Sequence, residues 1–201
     1  MLGDFHGKFP KKFEKIVKRE KIDLIVSTGD YVPFHYRKMW FKYCFDKDVQ
    51  LWEIVGKEKY KQLILNDLNY GENALRKLNN LSTLVVTVLG NVDHPSAQDV
   101  KDEKKPTGKK YWGWEYSREG QFEERLKKYG NIKRIDYSYF IFRDFVFIGA
   151  RGHSFPGVVR SRAFKKHKKI LEGLFKRFRK KNEDRKVIFV SHNVPYKTKL
   201  D

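Results

Sequence analysis

Four short groups in this chain place donor side chains where apolar runs end: Asp4-Phe5-His6, Gly29-Asp30, Gly90-Asn91 and Ser191-His192. Carboxylate oxygen, amide oxygen and imidazole nitrogen suit hard or borderline divalent ions such as Mn, Fe or Zn. A centre of two such ions needs a bridging carboxylate, with the ions about 3.5–4 Å apart. An Asp at a strand end supplies that bridge with little rotamer freedom to lose. Asp-x-His sets two ligands on one short turn, able to close on a single ion. The number and position of the groups carry more weight than any one of them.

The elements that must hold these groups are legible as apolar runs. Leu24–Thr28 reads as a buried parallel strand delivering Gly29-Asp30, and Leu84–Leu89 as a second delivering Gly90-Asn91. In open α/β sheets the C-terminal strand edge is where ligands collect. Val187–Val190 is the last strand and ends at Ser191-His192. Ser138–Gly149 alternates with period two and reads as a hairpin turning at Arg143-Asp144. Helical spacing predicts helices over Phe9–Glu20, over Val49–Leu68 in two pieces about Gly56, over Glu72–Leu81 opened by Gly71, over Glu119–Tyr129 and over Arg160–Lys181. The aromatic-rich stretch Tyr31–Phe45 and the lysine-rich stretch His94–Glu119 read as loops that rim the strand ends. No repeat or linker divides residues 1–201, which are expected to form one domain.

Composition narrows the classes. The 201 residues are 40% hydrophobic and 15% aromatic, enough for a proper core. No apolar run approaches the ~20 residues of a membrane helix. The opening MLGDFHGKFP lacks a basic-then-apolar leader pattern, so the default expectation is the cytoplasm. A single Cys44 excludes an internal disulfide and a cysteine-based zinc site, and reads as a buried thiol. The charge is unusual: 44 Lys plus Arg against 25 Asp plus Glu, a net +19. Such a field attracts polyanions, nucleic acid among them; a lysine-rich surface that merely keeps the chain soluble is the plain alternative.

The groups D-F-H-G at Asp4–Gly7, G-D-Y at Gly29–Tyr31, G-N-V-D at Gly90–Asp93 and S-H-N-V-P at Ser191–Pro195 follow one another in order. In this the sequence resembles the calcineurin-like metallophosphoesterase family over nearly its whole length. The resemblance implies an α/β fold, a four-layer α/β/β/α sandwich. It implies Asp4 and His6 on a first metal, Asp30 bridging, and Asn91 and His192 on a second. It implies two divalent ions, Mn foremost, with Fe, Zn or Ni as alternatives. In that family the ions clamp a phosphate ester and activate a water for in-line attack at phosphorus. Asn91 would also lie near a substrate oxygen, and Asp93 would orient a neighbouring histidine.

Two departures shape the expectation. No GHxH block follows His192, and only three residues precede Asp4, which suggests a fragment with three protein ligands to each ion and partial metal binding. At the other departure, Val92 stands where many phosphomonoesterase-like members have a proton-donating histidine, which favours phosphodiesters. His94 is a substitute donor, against the plainer reading of a loop histidine before Pro95. Arg151 could contact phosphate, although a surface arginine is the safer reading. The expected function is a metal-dependent phosphodiesterase. The alternatives are a nucleic-acid-binding protein of the same fold with impaired catalysis, favoured by the Lys/Arg face of Arg160–Lys181, or a metal-dependent nuclease.

Overall fold

The computed structural model describes residues 2–93, 112–114, 121–151, 162–181 and 185–193. Within them the order is α1 (Phe13–Arg19), β1 (Leu24–Ser27), α2 (Arg37–Tyr43), α3 (Leu51–Val55), α4 (Lys57–Asn79), β2 (Leu84–Thr87), α5 (Gln121–Leu126), β3 (Ile132–Arg134), β4 (Tyr139–Phe142), β5 (Phe145–Ala150), α6 (Arg162–Lys181) and β6 (Lys186–Ser191). The chain is a mixed α/β protein with two small sheets. One sheet, ordered β1-β2-β3, is wholly parallel, with Leu24 opposite Leu84 and Val85 opposite Ile132. The other, ordered β4-β5-β6, pairs β4 and β5 as the expected hairpin and β5 with β6 in parallel.

Parallel strands feed their C-terminal ends to one edge, as β1, β2 and β3 do in one sheet and β5 and β6 in the other. The segment after β3 ties them together: Ile135 N–H donates to Thr87 O, and Tyr137 N–H donates to Gly149 O. Ahead of Asp4, Leu2 forms a single parallel bridge to Ser27, donating to Val26 O and accepting from Thr28 N–H. That bridge brings the first donor pair beside the end of β1.

Apolar side chains gather in three clusters. The largest joins β1 and β2 to the helices, through Ile25, Val85, Ile64, Leu68, Leu75 and Phe122. In the second, residues of both sheets meet: Leu24, Val26 and Val86 with Phe147 and Val190. The third sets Leu171, Leu174 and Phe178 of α6 against Val146 and Ile148 of β5. Burying a side chain of this size stabilises by about 1.5–3 kcal/mol, so each cluster binds its elements firmly.

Several expectations change. The stretch Tyr31–Phe45 contains a helix, α2, whose Trp40 and Met39 pack on the main cluster. Helix α4 runs unbroken through Gly71, which does not open a separate helix. A Cβ there would come within 2.7 Å of Val32 Cγ2 and 2.9 Å of Phe122 Cε2, so glycine admits close contact between the helix and the chain after Asp30. Strand β3 carries only three residues and gave no apolar run to read. Helix α1 is shorter than predicted, and Ile16 on its expected apolar face is 41% exposed. Cys44 is buried as a free thiol, in line with expectation.

Candidate metal centre

Asp30, Asn91 and His192 follow the ends of strands and Asp4 and His6 follow the Leu2 bridge, and the backbone there is distinctive. Asp4 (φ 54°), His6 (φ 44°), Gly7 (φ 74°), Gly29 (φ 89°) and Asp30 (φ 56°) all occupy the left-handed region. Non-glycine residues enter it rarely, Asp and His more readily than most. The two turns hold each other in place: Asp4 N–H donates to Gly29 O at 3.0 Å, His6 N–H to Asp30 O at 2.9 Å, and Gly7 N–H to Tyr31 O at 2.8 Å. Gly90 is required by contact rather than by φ. A Cβ on it would fall 1.9 Å from Asp30 Oδ1 and 2.6 Å from the Asp30 nitrogen.

These turns bring the sequence-predicted ligands together. Ligand atoms of Asp4, His6 and Asp30 all lie within 4.8 Å of one another. His192 Nε2 stands 2.9 Å from Asn91 Oδ1 and 3.5 Å from Asp30 Oδ2. Asp30 therefore belongs to both groups. It is 4% exposed, and burial pushes its carboxyl above the ordinary range while the His192 ring opposes the rise. Its Oδ1 accepts Val92 N–H at 3.2 Å.

The donor chemistry fits a cation. His192 Nδ1 lies 2.8 Å from Thr28 O, a carbonyl that can only accept, so this nitrogen carries the proton. Nε2 faces the Asn91 amide oxygen and the Asp30 carboxylate: a protonated ring donates to them, and a neutral ring would present a lone pair. With the ring neutral the three acceptors would repel one another, and a divalent ion held by them would remove that repulsion. A backbone carbonyl fixing the far nitrogen is the usual support of a metal-binding histidine.

Asp93 is fully buried. Its Oδ1 accepts from Tyr31 N–H (2.7 Å) and Val32 N–H (3.0 Å), its Oδ2 from Asp30 N–H (2.9 Å) and Gly90 N–H (2.8 Å). Burial, helped by the Asp30 charge, pushes its carboxyl up to about 6 against the Val32, Gly90 and Asp30 donors. Where the sequence suggested that Asp93 orients a histidine, its carboxylate is taken up by backbone amides among the described residues. It ties the end of β1 to the end of β2. His94 lies outside the described residues.

Arg151, read from the sequence as a surface arginine, is buried, 6% exposed; it follows Ala150, which pairs with Ser191. Other residues escaped the sequence reading. Asp136 accepts Leu89 N–H at 3.0 Å and the Nε–H of Arg134, whose Nη1 reaches Glu123 at 2.9 Å, steadying the residue before Gly90. Tyr31 is buried, its hydroxyl 2.7 Å from Ser27 Oγ and 2.6 Å from Thr87 Oγ1. Asp67, 1% exposed on α4, takes the ring Nδ1 of His35 at 2.5 Å and its backbone N–H at 3.1 Å. A carboxylate on the buried face of α4, among Ile64, Leu68 and Gly71, was the available signal.

Comparison with known proteins points to one family. The family model of calcineurin-like phosphoesterases matches residues 1–200. No curated protein matches the chain. Among matching solved structures, one crystal structure superposes with a TM-score of 0.56 at 14% identity, covering 96% of this chain and 68% of its own. At that identity the likeness concerns the fold alone.

Proposed function

The chain belongs to the calcineurin-like phosphoesterase family, which implies metal-dependent hydrolysis of phosphate esters; we propose that this chain acts on phosphodiesters at a centre of two divalent ions. The observation that carries the reading is Asp30, shared between the Asp4–His6 group and the Asn91–His192 group. Asp4 and His6 would hold one ion and Asn91 and His192 the other, with Asp30 shared between them. Mn is the ion proposed, and the oxygen and imidazole donors suit Fe, Zn and Ni as well. When bound, the ions supply Lewis acidity toward the phosphoryl oxygens and lower the pKa of a water. The three apolar clusters support a four-layer order of helix, sheet, sheet and helix within a single domain.

The chain's own residues do the positioning. Asp93 fixes the amides of Asp30 and Gly90, so the two strand ends keep their spacing. Thr28 O holds the His192 tautomer. Asn91 directs its amide toward the same space and can orient a substrate oxygen. Val92 cannot donate a proton to a leaving group, which supports diesters over monoesters.

The reading is tested by hydrolysis of bis(4-nitrophenyl) phosphate and of the 4-nitrophenyl monoester with Mn²⁺. The expected result is preference for the diester, abolished by a chelator and by Asp30→Asn. A rate indifferent to both would overturn it.

A second reading rests on α6, where Lys165, Lys166, Lys168 and Lys169 are all exposed. That face suits a phosphate backbone, and with it the same centre would act as a nuclease or the fold would bind nucleic acid without cleaving. Metal-independent DNA or RNA binding that falls steeply with salt, in a protein inactive on the diester, would favour binding alone.

A further inference from the structure

The pairing of His35 with Asp67 is not explained by packing. Asp67 has a 1% exposed side chain, so α4 carries the desolvation of a carboxylate in its core-facing side. Both its oxygens are spent on one residue, one on the ring Nδ1 of His35 and the other on the His35 backbone N–H. The His35 side chain itself is 53% exposed. An apolar residue at 67 with a serine at 35 would leave the same core without the burial cost. What the arrangement achieves is a histidine with a fixed ring plane and tautomer, its Nδ1–H on a carboxylate and its Nε2 free to face outward. That is how a ring is prepared to pass a proton.

The ring lies on the wall that adjoins the metal-ligating turn. Tyr70 packs edge-on against His35, with centroids 5.1 Å apart. The backbone of Gly7 lies against Tyr70: a Cβ on Gly7 would come within 2.9 Å of Tyr70 Cβ and 3.2 Å of Pro33 Cγ. Gly7 directly follows His6, whose N–H bonds to Asp30 O. The contact chain His35–Tyr70–Gly7–His6 thus links the dyad to the proposed centre through packed atoms. Position 92, beside the centre, holds a valine with no proton to give.

The geometry points to His35, oriented by Asp67 and braced by Tyr70, as the proton donor to the leaving group of the ester. This rests on the phosphodiesterase reading above. In the step, the bond from phosphorus to the leaving oxygen breaks as a water oxygen bonds to phosphorus. In its protonated form, with Nδ1–H held on Asp67, the His35 ring carries a second proton on Nε2, which passes to the leaving oxygen and gives an alcohol. The ring keeps its Nδ1–H on Asp67 and regains a proton at Nε2 from solvent. The displaced water proton is released to solvent. Asp67 acts through His35 and is a positioning residue.

The test varies the leaving group. A 4-nitrophenolate departs without protonation, whereas an alkoxide needs the proton. The wild type, His35→Gln and Asp67→Asn are compared with Mn²⁺ on 4-nitrophenyl and alkyl diesters that share one non-departing arm. General-acid help is typically worth on the order of 10²-fold or more. The expected result is a loss of about that size on the alkyl diester and a loss at least tenfold smaller on the 4-nitrophenyl diester, in both variants. The ratio of the two rates is independent of how much variant protein folds. An equal loss on both substrates would overturn the inference while leaving the phosphodiesterase reading intact. A wild type inert on both would remove that reading, and the inference with it.

Discussion

Asp93 accepts the backbone N–H of Asp30 at 2.9 Å, although sixty-three residues separate the two. Three further amides share its carboxylate, so one buried side chain sets the distance between two strand ends. Asn in its place keeps the shape but turns an N–H₂ group toward amides that also donate. Asp93→Asn is expected to destabilise the fold by on the order of 3 kcal/mol. It should also weaken Mn²⁺ binding, although Asp93 touches no ion. Urea midpoints and calorimetric titration of both proteins check this.

Loss of ligands should follow the sharing of Asp30. His192→Ala is expected to reduce Mn²⁺ stoichiometry by one site, Asp4→Ala to reduce the other, and Asp30→Asn to weaken both. Binding to the native state raises stability by about 2.7 kcal/mol at a free-ion concentration a hundred times Kd. The wild-type melting temperature should therefore rise with Mn²⁺ and return with chelator, and Asp30→Asn should show the smallest rise.

Tyr31 makes alkaline stability a direct readout of the core beside the centre. Burial holds its hydroxyl well above the usual tyrosine range. As pH rises past 10 the unfolded chain releases this proton first, while the native state retains it. The unfolded state thus gains, and stability falls with increasing pH. Tyr31→Phe is expected to lose about 1 kcal/mol at pH 7, from its bonds to Ser27 and Thr87, but to decline less steeply above pH 10. Denaturant midpoints of the two proteins between pH 8 and 11 decide it.

Gly90→Ala places a methyl group on Asp30, and one of the offended atoms is backbone nitrogen that cannot rotate away. The expected outcome is a protein destabilised by about 1–3 kcal/mol. Its metal affinity should fall further than that of an alanine at Gly130, where an added Cβ meets nothing within 4 Å. Parallel titrations of the two variants test this.

The strand ends were legible because a buried parallel strand is a short run of β-branched and aliphatic residues, and its last residue is conspicuous when polar. Asp30 after Leu24–Thr28 and His192 after Val187–Val190 are of that kind. Side-chain bonds to distant backbone were not legible. Asp93 reads as a carboxylate that orients a neighbouring histidine, and nothing local reveals that its partners lie around residue 30. Gly71 has the opposite problem. Its composition signals a helix break, but tertiary contact with Val32 and Phe122 selects glycine inside a continuous helix. Strand β3 is too short to have a period, and α2 hides in a run of aromatics in which Trp40 packs on the main cluster while Phe41 stays exposed. Asp67 could be noticed only by asking why a carboxylate shares a stripe with Ile64 and Leu68.

The left-handed backbone at Asp4, His6 and Asp30 has a kinetic consequence. Each such residue holds on the order of 1 kcal/mol of conformational strain, and the three are stitched to one another rather than to long strands. Without cations this corner should be the first part of the molecule to open. Its amides would then exchange with deuterium through small local fluctuations rather than through global unfolding. Loading the centre should slow exchange at His6, Gly7 and Asp30 selectively, leaving Val85 and Ile148 in the sheet interiors unchanged. The protein would then report its own occupancy in the protection of a few backbone hydrogens.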